Sequence, residues 1–499
     1  MLRDFAMADK PNKDEIQAEL AIEREKLVQH QIKVKEAGLP VMVIFEGWGS
    51  SGKGSVIGRV IKNIDPRFFR VHSMASPTPE EQRYPFLHRY LKQIPEAGKF
   101  GFFDRFWMEE TISQHLSGSL TKSEYRRRMR SITTTERSLT DNGYLVMKFF
   151  LHISRQTQRK RLDQLLADKE SNWRVDNDDL RENENYHEYL DAYGRYLTNT
   201  NSPNAPWYIV DATNRKWTEL QVLQFLNQGI ETALANHALA HPILQNIFAL
   251  KRMPRLADIE LEGKQIEPEE YSERLRALHE ELGKLQFEIY RHRIPVIIAY
   301  EGWDAAGKGG NIKRITSALD CRGYVVHPIA SPEPHEKARH YLWRFWTRLP
   351  KNGHAAVFDR TWYGRVLVER LEGFCSENDW QRAYNEINEF ERELHDWGAV
   401  VIKFWVQIDN QTQLQRFTDR QNNPEKQWKI TEEDWRNREK WDAYTRAVDE
   451  MIRKTSTVHA PWHILESNDK RYARIKALQI LVDALREALE NKTDSGNAK

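Results

Sequence analysis

EGWDAAGKGG, from Glu301 to Gly310, is the stretch that decides the fold, and EGWGSSGKG, from Glu46 to Gly54, repeats it. The offset between the two is 301 − 46 = 255 residues. The same offset carries Phe103-Asp104-Arg105 onto Phe358-Asp359-Arg360. Because the period is as long as a domain, it excludes a solenoid of short units and predicts a duplicated domain.

Within the second copy, Gly302 to Lys308 matches the G-x-x-x-x-G-K pattern of a phosphate-binding loop. The apolar run Val296–Tyr300 precedes it and predicts a strand buried on both faces. Backbone N–H groups of such a loop cradle phosphate oxygens at a helix N-terminus, and the lysine neutralises further charge. The predicted phosphate-binding positions are Gly302, Ala305, Ala306, Gly307, Lys308 and Gly309.

The fold class predicted for each copy is α/β, with a parallel sheet flanked by helices. Further strands are expected at 324–327, 355–358 and 400–405, and a long helix is expected through Leu342 and Trp346. Pro and Gly residues between the copies indicate a connection. The predicted boundaries are an N-terminal domain at 1–235, a linker at 236–262 and a C-terminal domain at 263–499.

The composition and the net charge exclude several classes of protein. A net charge of +2 over 499 residues is too small for a chain that binds nucleic acid along its whole length. No apolar run approaches the roughly 20 residues of a membrane span, and two cysteines make no disulfide framework. These features predict a cytoplasmic protein with neither membrane nor nucleic-acid partners.

The residue after the loop lysine departs from the usual pattern. Most such loops have Ser or Thr there to hold Mg²⁺, but this chain has Gly309 and, in the first copy, Gly54. Asp304 inside the loop and Asp359 at the end of the third strand are the candidate metal ligands, because two hard carboxylates beside a phosphate chain suit Mg²⁺. The alternative for Asp359 is a helix cap or a salt bridge with Arg360.

GWDAAGKGG, the Ser331-Pro332 loop, FDRTWYGRVLVER from Phe358 and the closing TS…APW segment together resemble the polyphosphate kinase 2 family in its tandem two-domain form. The resemblance implies two P-loop kinase-like domains, each with a helical lid. It also implies a polyphosphate:AMP phosphotransferase, which moves the terminal phosphate of inorganic polyphosphate to AMP and gives ADP. The expected cofactor is Mg²⁺, and a homo-oligomer is an open possibility.

The resemblance also implies the active residues. Asp304 and Asp359 correspond to the metal-binding aspartates and Lys308 to the loop lysine. Arg360, Arg365 and Glu369 belong to the catalytic cluster, and the i, i+4 spacing of the last two predicts one helical face. The alternative for Arg365 and Glu369 is a surface ion pair.

The helical lid that the resemblance implies follows the fourth strand. Its basic side chains are candidates to grip polyphosphate, because phosphoryl transfer mainly requires positioning and positive charge. The alternative is a solvated basic face. The four residues are Arg416, Arg420, Lys426 and Lys429.

The first copy lacks several of these residues. Gly49 replaces Asp304 and Glu110 replaces Arg365, while Lys53 is retained. A carboxylate beside a phosphate costs roughly 4 kcal/mol at 4 Å and an effective dielectric constant near 20. The first copy is therefore predicted to be catalytically silent. A structural role is favoured, although Lys53 leaves phosphate binding open. The other replacements are Gln114 for Glu369, Leu165 for Arg420 and Ser171 for Lys426.

Three alternatives to AMP phosphorylation by polyphosphate remain. One is a polyphosphate-dependent kinase that converts ADP to ATP. Another is an ATP-dependent nucleoside monophosphate kinase, which the glycine after each lysine and the second aspartate disfavour. The third is a non-catalytic phosphate sensor, which suits the first copy better than the second.

Overall fold

The computed structural model describes residues 2, 5, 10–236, 242–425, 427–430 and 432–497. The chain divides into two compact units, each of which contains one short segment from the other half of the sequence. The first unit comprises Met1–Thr78, Leu87–His241 and Pro334–His340. The second comprises Pro79–Phe86, Pro242–Glu333 and Tyr341–Lys499.

The first unit contains a five-stranded parallel sheet in the order β2-β3-β1-β4-β5. Its central strand is buried throughout, which agrees with helices on both faces. The strands are β1 Val41–Gly47, β2 Phe69–Ser73, β3 Phe100–Asp104, β4 Leu145–His152 and β5 Trp207–Asp211. The helices of this half are α1 Lys13–Ala37, α2 Lys53–Val60, α3 His88–Leu91, α4 Trp107–Leu116, α5 Lys122–Asp141, α6 Arg155–Ala167, α7 Asn177–Glu184, α8 Tyr186–Thr200 and α9 Arg215–Asn236.

The second unit contains an equivalent parallel sheet in the order β7-β8-β6-β9-β10. The predicted parallel α/β class is therefore confirmed. Four strands occur where the apolar runs predict them, whereas the fifth, which is short and contains His463, was not predicted. The strands are β6 Val296–Gly302, β7 Tyr324–Pro328, β8 Ala355–Asp359, β9 Val400–Gln407 and β10 Trp462–Glu466.

The predicted long helix through Leu342 and Trp346 is wrong. Two four-residue helices replace it, and turns separate them. The interruption falls where the chain passes from the first-unit segment, which ends at His340, to second-unit residues, which begin at Tyr341. The helices of this half are α10 Pro268–Arg291, α11 Lys308–Thr316, α12 Pro334–Lys337, α13 Trp343–Trp346, α14 Val368–Leu371, α15 Glu377–Asp396, α16 Asn410–Gln421, α17 Glu432–Glu439, α18 Trp441–Thr455 and α19 Lys470–Asn497.

The connection between the copies is predicted to be a linker at 236–262. Residues 237–241 lie outside the described part of the chain, and 242–262 belong to the second unit. There the Lys251 N–H donates to the Ser456 carbonyl at 2.7 Å. In the described residues, every helix is too short or too polar to cross a bilayer.

A buried ion pair fixes the centre of the second sheet to a flanking helix. Lys403 of β9 donates to Glu391 of α15 at 2.7 Å, and both side chains are fully buried. Lys403 also donates to the Tyr363 hydroxyl at 2.8 Å and to the Thr455 carbonyl at 2.7 Å. All three ammonium hydrogens therefore have an acceptor, which makes a charge tolerable in the core.

Candidate active site in the second unit

The loop between β6 and α11 has the conformation that its glycines allow. Gly302 has φ +152°, and a Cβ there would lie 2.6 Å from the carbonyl oxygen of Val406 on the neighbouring strand. Gly307 has φ +115° and caps the N-terminus of α11. Only glycine tolerates this combination of close approach and positive φ. The loop therefore directs N–H groups to the carboxyl edge of the sheet, where ligands bind in open α/β folds.

Lys308 lies across this loop. Its Nζ donates to the Gly302 carbonyl at 2.6 Å and to the Trp303 carbonyl at 3.2 Å. These bonds hold the ammonium group at the mouth of the loop, at the start of α11. The positive charge and the helix N-terminus thus favour the same anion.

Asp304 is held on both of its carboxylate oxygens. Oδ1 lies 3.4 Å from Arg360 Nη2, and Oδ2 accepts from Asn437 Nδ2 at 3.0 Å. The Gln413 amide donates to the Asp304 backbone carbonyl at 3.1 Å. The Asp304 side chain is 16% exposed, so its carboxylate retains access to solvent. Gln413 of α16 and Asn437 of α17 therefore orient Asp304, and its charge stays available to a ligand.

Asp359 ends β8 and pairs in register with Tyr300 of the adjacent β6. The next residue, Arg360, has φ +66°, which costs a non-glycine residue about 1–2 kcal/mol. Its N–H donates to the Tyr300 carbonyl at 3.0 Å. This backbone places the Arg360 guanidinium beside Asp304, with Nη2 3.4 Å from Oδ1. The metal-binding role of Asp359 and its alternative, a helix cap or a salt bridge with Arg360, both remain predictions.

These two aspartates fit a magnesium ion in the donor set that they offer. Mg²⁺ in kinases is usually bound through one or two carboxylates, with substrate phosphates and water completing the shell. The described residues contain no cluster of three or more metal-ligating side chains. A pair of carboxylates beside a phosphate loop matches an ion that arrives with its substrate.

Arg416 is predicted to bind phosphate, but its guanidinium contacts backbone carbonyls of the loop. Nη1 donates to the carbonyls of Ala305 and Ala306 at 3.0 and 2.9 Å. Nη2 donates to the carbonyls of Ser467 and Asn468 at 2.6 and 3.1 Å. Burial lowers the pKa of Arg416 to about 10. These four bonds favour a role in positioning the loop, and direct phosphate binding by Arg416 remains a prediction.

Arg365 and Glu369 form the ion pair that their spacing predicts, with Nη1 and Oε2 3.2 Å apart. They do not share one helix, because Arg365 ends the 3₁₀ turn Trp362–Arg365 and Glu369 lies in α14. The guanidinium packs on the Tyr341 ring, 4.4 Å from its centroid. Burial acts to lower the pKa of Arg365, but Glu369, Tyr341 and Cys375 together outweigh it and the net pKa is raised. Contact of this pair with phosphate remains a prediction.

The lid consists of α16, the 3₁₀ turn Gln427–Lys429 and α17. Arg420 lies on α16, close enough to Arg416 to lower the pKa of that guanidinium further. Lys426 lies outside the described residues, as does the side chain of Lys429. Just beyond the lid, Trp441 at the start of α18 stacks on Trp303 of the loop, with centroids 3.8 Å apart and planes at 10°. The lid therefore contacts the loop through Gln413 and Asn437, and α18 contacts it through Trp441.

Comparison with known proteins places this arrangement in a family. The model of Polyphosphate kinase 2 (PPK2) matches residues 10–238 and again 265–493. The chain belongs to the polyphosphate kinase 2 family. It is 38% identical over 472 residues to a polyphosphate:AMP phosphotransferase of Pseudomonas aeruginosa PAO1, covering 93% of this chain and 94% of that protein.

Other members of the polyphosphate kinase 2 family match over a similar span. A polyphosphate:AMP phosphotransferase of Acinetobacter johnsonii is 36% identical and aligns over 89% of this chain and 91% of its own length. A polyphosphate kinase 2 crystal structure from Pseudomonas aeruginosa PA01 superposes with a TM-score of 0.85 at 36% identity. That comparison covers 98% of this chain and all of that one. The fold and the duplication are thus shared with relatives of full length.

One buried carboxylate in this polyphosphate kinase 2 site was not predicted. Glu301 accepts from the N–H and the hydroxyl of Thr361 at 2.8 and 2.7 Å, which ties the loop to the residues after β8. Burial raises its pKa. The only signal was its repetition, because Glu46 occupies the same place in the first copy. Asn437 and Gln413 gave no signal, since nothing in their local sequence relates them to Asp304.

The first unit shows what surrounds the replaced residues. Glu110 occupies the position of Arg365, but neighbouring side chains compensate the charge of its carboxylate. Tyr90 donates to it at 2.7 Å, and the guanidinium groups of Arg89 and Arg128 lie 3.5 and 4.0 Å away. The repulsion predicted for an unpaired carboxylate therefore does not apply at its full magnitude.

Proposed function

We propose that this chain transfers the terminal phosphoryl group of inorganic polyphosphate to AMP, giving ADP and a polyphosphate shorter by one unit, and that the second unit performs the reaction. Membership of the polyphosphate kinase 2 family makes the chain a polyphosphate-dependent nucleotide kinase. The relatives that align over nearly its whole length are polyphosphate:AMP phosphotransferases. That shared length supports AMP as the acceptor.

The observation that carries the assignment to the second unit is the difference between the two loops. Both lysines fold across their loops in the same way, to the carbonyls of Gly302 and Trp303 or of Gly47 and Trp48. Only the second loop contains an aspartate, Asp304. A kinase requires a metal to offset phosphate charge, so the loop with the carboxylate is the better candidate for catalysis.

Each residue has a distinct part in this proposal. Asp304 and Asp359 would hold Mg²⁺, which neutralises charge on the phosphates when bound. Lys308 and the N–H groups at the start of α11 bind the phosphate chain. Arg360 stabilises charge that develops on the transferred group, because it is prepositioned by its strained backbone.

Product analysis tests the proposal. Purified protein is incubated with long-chain polyphosphate, Mg²⁺ and each nucleotide in turn, and nucleotides are separated by chromatography. We expect ADP from AMP with polyphosphate as donor and none with ATP as donor. Asp304→Ala and Lys308→Ala should each abolish the activity, and a chelator should do so reversibly. Full activity in both variants would assign the chemistry elsewhere.

A second candidate is the conversion of ADP to ATP. The ADP-polyphosphate phosphotransferase 2 of Rhizobium meliloti is 37% identical over 268 residues, about half of this chain. Because that relative spans only one copy, it favours this activity less than the full-length relatives favour AMP. The same product analysis separates the two candidates. A cytoplasmic location and a homo-oligomeric assembly remain predictions.

A further inference from the structure

The phosphate loop of the first unit keeps the shape of a binding site. Lys53 Nζ donates to the Gly47 and Trp48 carbonyls at 2.7 and 3.1 Å, as Lys308 does in the second unit. Gly52 has φ +101° and caps the N-terminus of the eight-residue helix α2. The loop opens into a cavity of about 1070 Å³ within this unit. The structure thus preserves the anion-binding elements where the catalytic aspartate is absent.

Two hydroxyls in this loop have no equivalent in the second copy. Ser50 and Ser51 replace Ala305 and Ala306, and both line the cavity. Ser51 is 4% exposed, and neither hydroxyl has a hydrogen-bond partner among the described residues. An unsatisfied buried hydroxyl costs about 1–3 kcal/mol. Donation to an oxyanion in the cavity would remove that cost.

Charge in the cavity also favours an anion. Arg161 is engaged by loop carbonyls, as Arg416 is in the second unit. Arg174 is exposed at the cavity and packs on the Trp173 ring. Five cationic side chains line the cavity against three carboxylates. The cations are Lys53, Arg105, Arg161, Arg174 and Arg215, and the carboxylates are Asp104, Asp168 and Asp179.

The position of the missing aspartate has been filled from another element. A side chain at Gly49 would overlap the Asp179 carboxylate and lie 2.9 Å from Glu182 Oε2. Glu182 accepts from the Gly49 N–H at 2.7 Å and from Gln158 Nε2 at 2.7 Å. These bonds hold the Glu182 carboxylate against the loop backbone. The first unit therefore keeps its phosphate loop, but Asp179 and Glu182 lie where the second unit has its loop carboxylate.

We propose that the first unit binds a chain of phosphate groups without turning it over. Lys53, the N–H groups at the start of α2, the hydroxyls of Ser50 and Ser51, and Arg174 hold the phosphates. The ligand is polyphosphate or the phosphate tail of a nucleotide, which share this chemistry. The site is additional to the one proposed for catalysis and does not depend on which nucleotide that site uses.

Binding stoichiometry on the full chain tests this inference. Calorimetric titration with tripolyphosphate, without nucleotide, should show two sites per chain. Lys53→Ala should leave one and Lys308→Ala should leave the other, so the double variant should show none. A single site that Lys308→Ala removes and Lys53→Ala leaves intact would overturn the proposal. Repeating the titration with ATP identifies which of the two ligands the site takes. If ATP fills the first-unit site, the site accepts the phosphate tail of a nucleotide. If ATP does not bind there, the site is selective for polyphosphate.

Milder variants keep the test valid if Lys53→Ala fails to fold. Ser51→Ala installs the residue of the second loop and should weaken first-site binding about 3- to 10-fold, the effect of one hydrogen bond. Arg174→Gln, at an exposed position, should weaken it to a similar extent. Lys62→Gln is the matched control, since Lys62 is exposed on the same unit beyond α2. Equal losses in Lys62→Gln and Arg174→Gln would indicate only general charge attraction and refute a built site.

Discussion

Exchanging one residue pair between the copies tests the reason proposed for the predicted silence of the first unit. Asp304→Gly with Asn437→Glu would give the second unit the pair that the first has at Gly49 and Glu182. In the first unit the glycine N–H donates to the glutamate at 2.7 Å, and in the second Asn437 donates to Asp304 at 3.0 Å. We expect Asp304→Gly alone to lose activity and about 1 kcal/mol of stability through the unpaired amide.

The size of the loss follows from what Asp304 contacts. At 3.4 Å from Arg360, its Coulomb energy is about 5 kcal/mol at an effective dielectric constant of 20. Arg360 is 51% exposed, so solvent screening leaves about 1 kcal/mol or less. We expect the larger effect to come from the metal contact that we propose for Asp304. Removing one such preorganised group typically lowers kcat about 10²- to 10³-fold.

Initial rates of ADP formation and urea unfolding separate the two effects. The double variant should regain stability, because the introduced glutamate can accept from the N–H of residue 304, but it should stay inactive. Asp304→Asn is the control, since it keeps an acceptor for Asn437. It should lose activity but retain its stability. Recovery of the double variant to within about tenfold of wild type would refute the reasoning. A carboxylate supplied by α17 would then serve catalysis, and Gly49 would not explain the predicted silence of the first unit.

Three further predictions concern the framework of the two units. Arg416→Lys should lower kcat more than it raises KM, measured by initial rates, because a lysine cannot span the four carbonyls that position the loop. Glu391→Ala should cost about 3–5 kcal/mol in urea unfolding by leaving Lys403 buried without its partner, and a loss below 1 kcal/mol would contradict this. Burial, reinforced by Glu109, raises the Glu46 pKa to about 8, so stability due to that group should fall as pH rises from about 4.5 to 8. Glu46→Gln should flatten this dependence in unfolding measured across that pH range, and an unchanged slope would exclude Glu46 as its source.

The sequence predicted those features that have a local cause. Val296–Tyr300 was recognisable because a strand covered on both faces is continuously apolar. The strand Trp462–Glu466 was missed because five residues that include a histidine and a glutamate carry no such run. The conformation of the loop followed from its glycines. The partners of individual side chains could not be predicted, because they depend on where the tertiary fold directs each side chain. An arginine such as Arg416 can bind a phosphate or a cluster of backbone carbonyls equally well.

Comparison of the copies shows replacements that depend on one another. Where the second unit has Phe345 and Ala383, the first has Tyr90 and Arg128, and both of these contact Glu110. A carboxylate at the position of Arg365 would be costly by itself, but these two partners make it an ordinary buried ion cluster. Restoring arginine at position 110 alone should therefore destabilise the first unit, because the new cation would meet Arg89 and Arg128. In the first copy, neighbouring residues thus compensate for the substitution at position 110. The missing loop aspartate, more than the charge of Glu110, accounts for the predicted silence of this copy.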